Sequence, residues 1–179
     1  MINKTIQEIK VVKKNNNDIN NIEDFINQKF SFNYFTVAHT KIYLTAINIF
    51  NDNKLFGTGT KTFRVVCTHK EYIFYEGCQS HPHNTYLQLL SETGFIGALP
   101  IIFIFFLITF TFFKILFLRI FFKKNIYSDF SIYMLIAIFI TLWPIIPSGN
   151  FFNNWLSMIY FYPIGFYLYF KYKNEKKFG

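Results

Sequence analysis

His83 is the residue whose type and position point most directly to chemistry. It stands just before a stretch through Tyr86, Leu87, Leu89 and Leu90 that reads as a helix capped by the Asn84 side chain. A histidine beside a helix N-terminus feels the positive end of the dipole, which favours the neutral imidazole. A neutral imidazole near pH 7 can accept a proton as a general base. The plainer reading is a histidine that only caps or packs at a surface.

Upstream, Gly57 and Gly59 precede Lys61 and Arg64. Backbone amides of a glycine loop and two cations could gather around a phosphate, although Arg64 also reads as an ordinary solvated charge. The stretch is not a P-loop, because the G-x-x-x-x-G-K-[ST] spacing is missing. Glu92, at the end of the helix that follows His83, could orient a base or bind an acceptor, or simply be solvated. No Asp-x-Asp pair is present to hold a divalent metal on a sugar nucleotide.

Cys67 and Cys78 are the two cysteines of the chain. Three readings stay open for them: a disulfide closing a short loop in an oxidising compartment, a pair of free thiols, or metal ligands together with His69, His81 and His83. The spacing matches no familiar zinc pattern. A disulfide would pin the segment that leads into His81, Pro82, His83 and Asn84.

The elements that must position these residues follow from hydropathy and charge. The 179 residues are 52% hydrophobic and 22% aromatic but only 16% charged, against about 25% charge in an ordinary soluble domain. The net charge of +8 would suit a nucleic-acid binder, but its distribution does not. Residues 1–93 carry 10 basic and 8 acidic side chains, whereas residues 94–179 carry 8 basic and 2 acidic ones together with 18 of the 26 Phe. A basic, Phe-rich half with long uncharged runs reads as membrane protein and excludes a nucleic-acid reader. Residues 93–113 form an uncharged run of 21, enough to cross a hydrocarbon core of about 30 Å as a helix. Residues 130–170 form another of 41, interrupted by Trp143-Pro144, by Pro147-Ser148-Gly149-Asn150 and by Asn153-Asn154. Three spans follow, at about 94–118, 130–147 and 154–170, within an all-α integral membrane protein.

The basic residues set the orientation. Lys114, Arg119, Lys123 and Lys124 separate spans one and two, and Lys171, Lys173, Lys176 and Lys177 follow span three. All eight fall on one side, which the positive-inside rule makes cytoplasmic. Residues 1–92 and the 147–154 turn then face outward. Residues 1–35 read as a polar linker with a short helical stretch at 19–28. Residues 36–93 read as a mainly helical extracytoplasmic loop domain, opening on an amphipathic helix over 40–51 with Ile42, Ala46, Ile49 and Phe50 at helical spacing. The N-terminus has no apolar h-region of a signal peptide. An outward-facing polar segment with no span before it leads us to expect the C-terminal part of a larger polytopic protein, inactive by itself.

His83-Asn84, nine residues, then Gly94-Phe95-Ile96-Gly97 reproduces an H-[NSQ]-x9-G-x-x-G pattern. Asn53-Lys54-Leu55-Phe56-Gly57-Thr58-Gly59 with Phe63-Arg64 looks like an N-P-L-x-G-x-G…F-R segment, and residues 148–155 look like a short outward turn between late spans. In these three motifs, over about residues 36–170, the chain resembles the O-antigen ligase/O-antigen polymerase superfamily.

The resemblance implies an outward loop packed over membrane helices in a metal-independent, inverting glycosyltransferase of GT-C type, without a cofactor, in the inner membrane of a bacterium with residues 1–92 in the periplasm. The donor would be a glycan on undecaprenyl pyrophosphate and the acceptor a sugar hydroxyl of lipid A-core or of another carrier-linked glycan. His83 would be the catalytic base, and Arg64, Lys61, His81, Asn84 and Glu92 would bind substrate or pyrophosphate. Two departures stand out: Lys54 occupies the position of the pattern's Pro, and His39 and Lys41 lie where many members carry an Arg. A non-enzymatic membrane protein with a metal- or partner-binding Cys/His domain is the competing class.

Overall fold

The computed structural model describes residues 35–123 and 127–178, with side chains as far as Lys173. The linker over 1–35 falls almost wholly outside them, and its helical stretch at 19–28 entirely so. Every element among the described residues is a helix: α1 (Val37–Asp52), α2 (Phe63–Val66), α3 (Thr85–Phe122), α4 (Asp129–Thr141) and α5 (Asn154–Phe178).

α1 starts three residues before the expected 40–51 helix because Thr36 caps it, the Thr36 Oγ1 accepting from the His39 amide. Ile42, Ala46 and Ile49 form its inward face and pack on Phe63 of α2 and on Cys67. Leu87 of α3 and Tyr72 close this small core. Cys67 and Cys78 are joined in a disulfide, with Cα atoms 5.2 Å apart. Closing a loop of this length removes about 2–3 kcal/mol of chain entropy from the unfolded state in the entropic description.

α3 is two helices in series. Gly94, at φ 66° and ψ −169°, breaks it into a short arm (85–93) and a long arm (95–122). The long arm runs about 40 Å at the helical rise and carries exposed Phe103, Phe106, Phe110, Phe113 and Phe117. Among the described residues α3 is the one helix long and apolar enough to cross a membrane. It continues four residues past the expected end at 118, stopping where Lys123 turns left-handed at φ 50°.

The helices at the other two expected spans have different bounds. The helix expected over 130–147 stops at Thr141, because Pro144 cannot continue it and the backbone beyond finds other partners. Its 13 residues reach about 20 Å, short of a hydrocarbon core. The helix expected over 154–170 runs on to Phe178, through Lys171 and Lys173. Ser128 caps α4, and Asp129 in its first turn meets Arg119 at the end of α3 in a 2.6 Å ion pair. α4 packs on α5 and on the long arm through Phe105, Ile138 and Leu142, with Phe139 stacked on Phe112 at 5.1 Å.

Candidate functional site

The site is built around the kink. An unbroken helix would pair the Ser91 and Glu92 carbonyls with the Phe95 and Ile96 amides. Gly94 opens that turn, and the glycine loop re-pairs all four groups. Thr58 and Gly59 amides donate to the Ser91 and Glu92 carbonyls at 3.1 and 2.8 Å, while Phe95 and Ile96 amides donate to the Lys54 and Leu55 carbonyls at 2.7 and 3.2 Å. Two backbones can approach this closely only without Cβ atoms. A Cβ on Gly57 would strike the Glu92–Thr93 backbone, and one on Gly94 the Leu55–Phe56 backbone, and both glycines have positive φ.

This geometry corrects the phosphate-cradle expectation. The Gly57 amide goes to the Asn53 carbonyl, and the Lys61 and Phe63 amides go to the Glu92 carboxylate at 3.1 and 2.9 Å. Together with those of Thr58 and Gly59, five amides of the segment are spent inside the protein. Glu92, expected at the surface as an acceptor ligand or a solvated charge, is instead 1% exposed. It also accepts from the Gln88 amide at 3.1 Å, so its carboxylate shapes the loop. Burial of a carboxylate requires such donors.

Asn84 is likewise structural. Its Oδ1 accepts from the Tyr86 and Leu87 amides, the cap expected from sequence. Its Nδ2 donates to the Pro144 carbonyl at 2.7 Å, which leaves little of the side chain for a substrate.

Just before this cap the chain presents two imidazoles, His81 and His83, and α1 brings a third, His39, beside them. His83 sits in the left-handed region at φ 55°, a conformation that costs a non-glycine residue about 1–3 kcal/mol and persists only when its surroundings fix it. Here the His83 carbonyl receives the Ser148 amide at 2.9 Å and the Tyr43 hydroxyl at 3.5 Å. The His83 ring lies 4.1 Å from the ring of His81 and 5.8 Å from that of His39, centre to centre. His39 is held by the Thr36 hydroxyl and His81 by that of Ser80. Burial, and then the nearby His39, push the His83 pKa below its ordinary 6.5. For His81, burial and then His83 act in the same direction, opposed by the Ser148 backbone. For the half-buried His83 this lowering favours the neutral imidazole, the state a general base needs.

Lys61 and Arg64 are exposed, Arg64 on the short α2. With both thiols in the disulfide, no thiolate joins the histidines. No three His, Cys, Asp or Glu side chains converge as a metal site among the described residues.

The non-helical stretch after α4 closes the site. Tyr86 donates its hydroxyl to the Leu142 carbonyl at 2.6 Å, and burial raises that phenol to about 12, so it stays a donor. Thr85 meets the Ser148 hydroxyl at 2.8 Å. Gln88 is fully engaged: its Nε2 reaches Asn150 at 2.8 Å as well as Glu92, and its Oε1 accepts from the Phe151 amide at 2.9 Å. Sequence reasoning missed Gln88 and Tyr43, named Ser148 only as part of the family-like turn, and noted His39 only as a departure from the family pattern. The one signal for Gln88 was its place four residues before Glu92, on the same helix face.

A family model described as O-antigen ligase matches residues 7–102, which takes in α1, the glycine loop, the disulfide, the histidines and the Gly94 kink. The chain belongs to the O-antigen ligase family. No curated protein and no solved structure matches it. The resemblance carried by His83, Gly94 and Gly97 therefore holds. Membership places this O-antigen ligase family chain among bacterial membrane proteins with ligase- or polymerase-type glycan transfer.

Proposed function

We propose that this O-antigen ligase family chain contributes the acceptor-activating site of a metal-independent, inverting transferase that moves a glycan from undecaprenyl pyrophosphate to a sugar hydroxyl. The acceptor is lipid A-core or another carrier-linked glycan. His83 removes the hydroxyl proton, and the acceptor oxygen forms its bond to the anomeric carbon as the bond to the pyrophosphate oxygen breaks. The leaving group departs already ionised, so it needs cations rather than an acid, and Arg64 and Lys61 supply them. His81 and His39 flank the base. Asn84 and Glu92 act at one remove, by holding the His83 loop and the glycine loop.

The observation that carries this reading is the His83 imidazole, kept neutral beside His39 and His81 within the segment matched by the family. In the same reading residues 36–93 form a periplasmic domain and residues 94–179 a membrane domain of GT-C type in the inner membrane. The long arm, α4 and α5 are its three spans. Residues 143–147 complete the crossing that α4 leaves short, and their irregular backbone is tolerable there because Asn84 and Tyr86 satisfy the Pro144 and Leu142 carbonyls.

The test is glycan transfer in bacterial membranes supplied with this sequence as it occurs in the cell. His83→Ala should lower transfer by about 10²–10⁴-fold, with membrane level and disulfide unchanged. Transfer equal to that of the unaltered chain would sink the assignment.

A further inference from the structure

The glycine loop displays a feature that glycan transfer does not use. Before the Gly94 kink, the large apolar side chains exposed among the described residues are Leu55, Phe56 and Val65. Two of these are adjacent and strongly exposed, Leu55 at 61% and Phe56 at 73%. They also belong to the segment whose Lys54 and Leu55 carbonyls accept from the Phe95 and Ile96 amides.

Those amides are the first two of the long arm, and a helix entering a bilayer must have its opening N–H groups satisfied. The loop is thus the cap of the membrane helix. A cap bonded at 2.7 and 3.2 Å cannot sit at a different depth from the turn it caps. Leu55 and Phe56 consequently lie level with Phe95, Ile96 and Leu99, which are exposed at the start of the same arm. The apolar surface of the arm continues onto the loop, and exposed Lys54 stands beside it where an anionic headgroup would be.

We propose that Leu55 and Phe56 insert into the lipid interface on the His83 side of the membrane, anchoring the glycine loop to the bilayer with Lys54 among the headgroups. Apolar side chains of this kind settle about 5–10 Å into the headgroup and acyl boundary. The anchor would hold the loop, and through the Gly59–Glu92 and Thr58–Ser91 bonds the short arm, at a fixed depth relative to the lipid. The proposal rests on the membrane-spanning reading of the long arm and on nothing about glycan transfer.

The test uses the full chain in phosphatidylcholine/phosphatidylglycerol vesicles, with Trp143→Phe and Trp155→Phe removing the native fluorophores. Phe56→Trp then reports on the loop, Leu55→Trp is a second reporter should the first disturb folding, and Phe110→Trp reports on the middle of the arm. Lipids brominated high on the acyl chains should quench the loop reporter at least about twofold more than lipids brominated near the chain ends, as shallow insertion requires. Aqueous acrylamide should quench it little. A loop reporter quenched by acrylamide and not by bromolipid lies in water. One quenched by neither is covered by protein, whether a further segment or a second copy. Either result overturns the anchor while leaving the span intact, provided that Phe110→Trp is quenched by deep bromines. If Phe110→Trp also escapes bromolipid, the span and the anchor fall together.

Discussion

At the scale of single residues, the site depends on keeping polar groups in fixed states. The His81 and His83 pKa values are both lowered from 6.5. The folded protein therefore disfavours protonating them, and they contribute stability above the unfolded value that is lost as pH falls through their folded values. For activity the sign is the same. A base that is neutral to lower pH keeps transfer level down to 6.5, with the acid limb of the pH–rate profile below that value. Burial is the larger cause of that lowering, but His39→Gln removes the coulombic contribution of His39, so the limb should move up toward 6.5. An acid limb unmoved by this change would show that His39 does not tune His83. Glu92→Gln makes a different point. It places an amide donor where a carboxylate oxygen now accepts from the Lys61, Phe63 or Gln88 N–H groups. Donor facing donor in a buried site should cost about 1–3 kcal/mol, read as a lower unfolding midpoint in detergent. Had Glu92 been an acceptor ligand, transfer would fall with the midpoint unchanged.

At the scale of elements, the kink and the loop are one device. The G-x-x-G pattern announces a helix break, and the G-x-G pattern a tight loop, but neither says that each supplies the other's missing hydrogen bonds. Gly94→Ala would force a left-handed alanine and press its methyl against the Leu55–Phe56 backbone. The combined cost is on the order of 2–5 kcal/mol. Limited proteolysis in membranes should then cut the 54–60 loop faster than in the unaltered protein. Equal protection would mean that the loop docks without the kink. The amphipathic pattern of α1, the Asn84 cap and the apolar long arm were legible because each depends on residues close in sequence. The end of α4 was less legible. Trp143-Pro144 signalled a break in the uncharged run, but where the helix stops depends on acceptors taken by Asn84 and Tyr86, nearly 60 residues away.

At the scale of the whole molecule, the Ser148 amide on the His83 carbonyl and the Gln88–Asn150 contact bind the α4–α5 connection to the short arm and the residue before its cap. In the proposed membrane arrangement the 147–154 stretch then lies on the same side as His83, the sidedness expected from the eight basic residues. A membrane-impermeant maleimide applied to right-side-out vesicles should label Pro147→Cys directly and Lys123→Cys only after permeabilisation. The reverse pattern would invert the orientation. The Arg119–Asp129 pair closes the opposite end, but as an exposed contact it contributes at most about 1 kcal/mol.

The sequence by itself determined that this is a charge-poor, Phe-rich chain with the helical patterning of a membrane protein, and it singled out His83, the two glycine patterns and the cysteine pair. These properties reside in composition, in period and in motifs read along the chain. Tertiary structure alone decided which of the polar residues remain free. Asn84, Glu92 and the loop amides have the right types to hold a substrate, but their donors and acceptors are taken by the kink, the loop and the α4–α5 connection. His83 is left presented, neutral beside two other imidazoles. A buried polar group must find a partner wherever the fold brings one, and which partner arrives first is a property of packing that no local stretch of sequence contains.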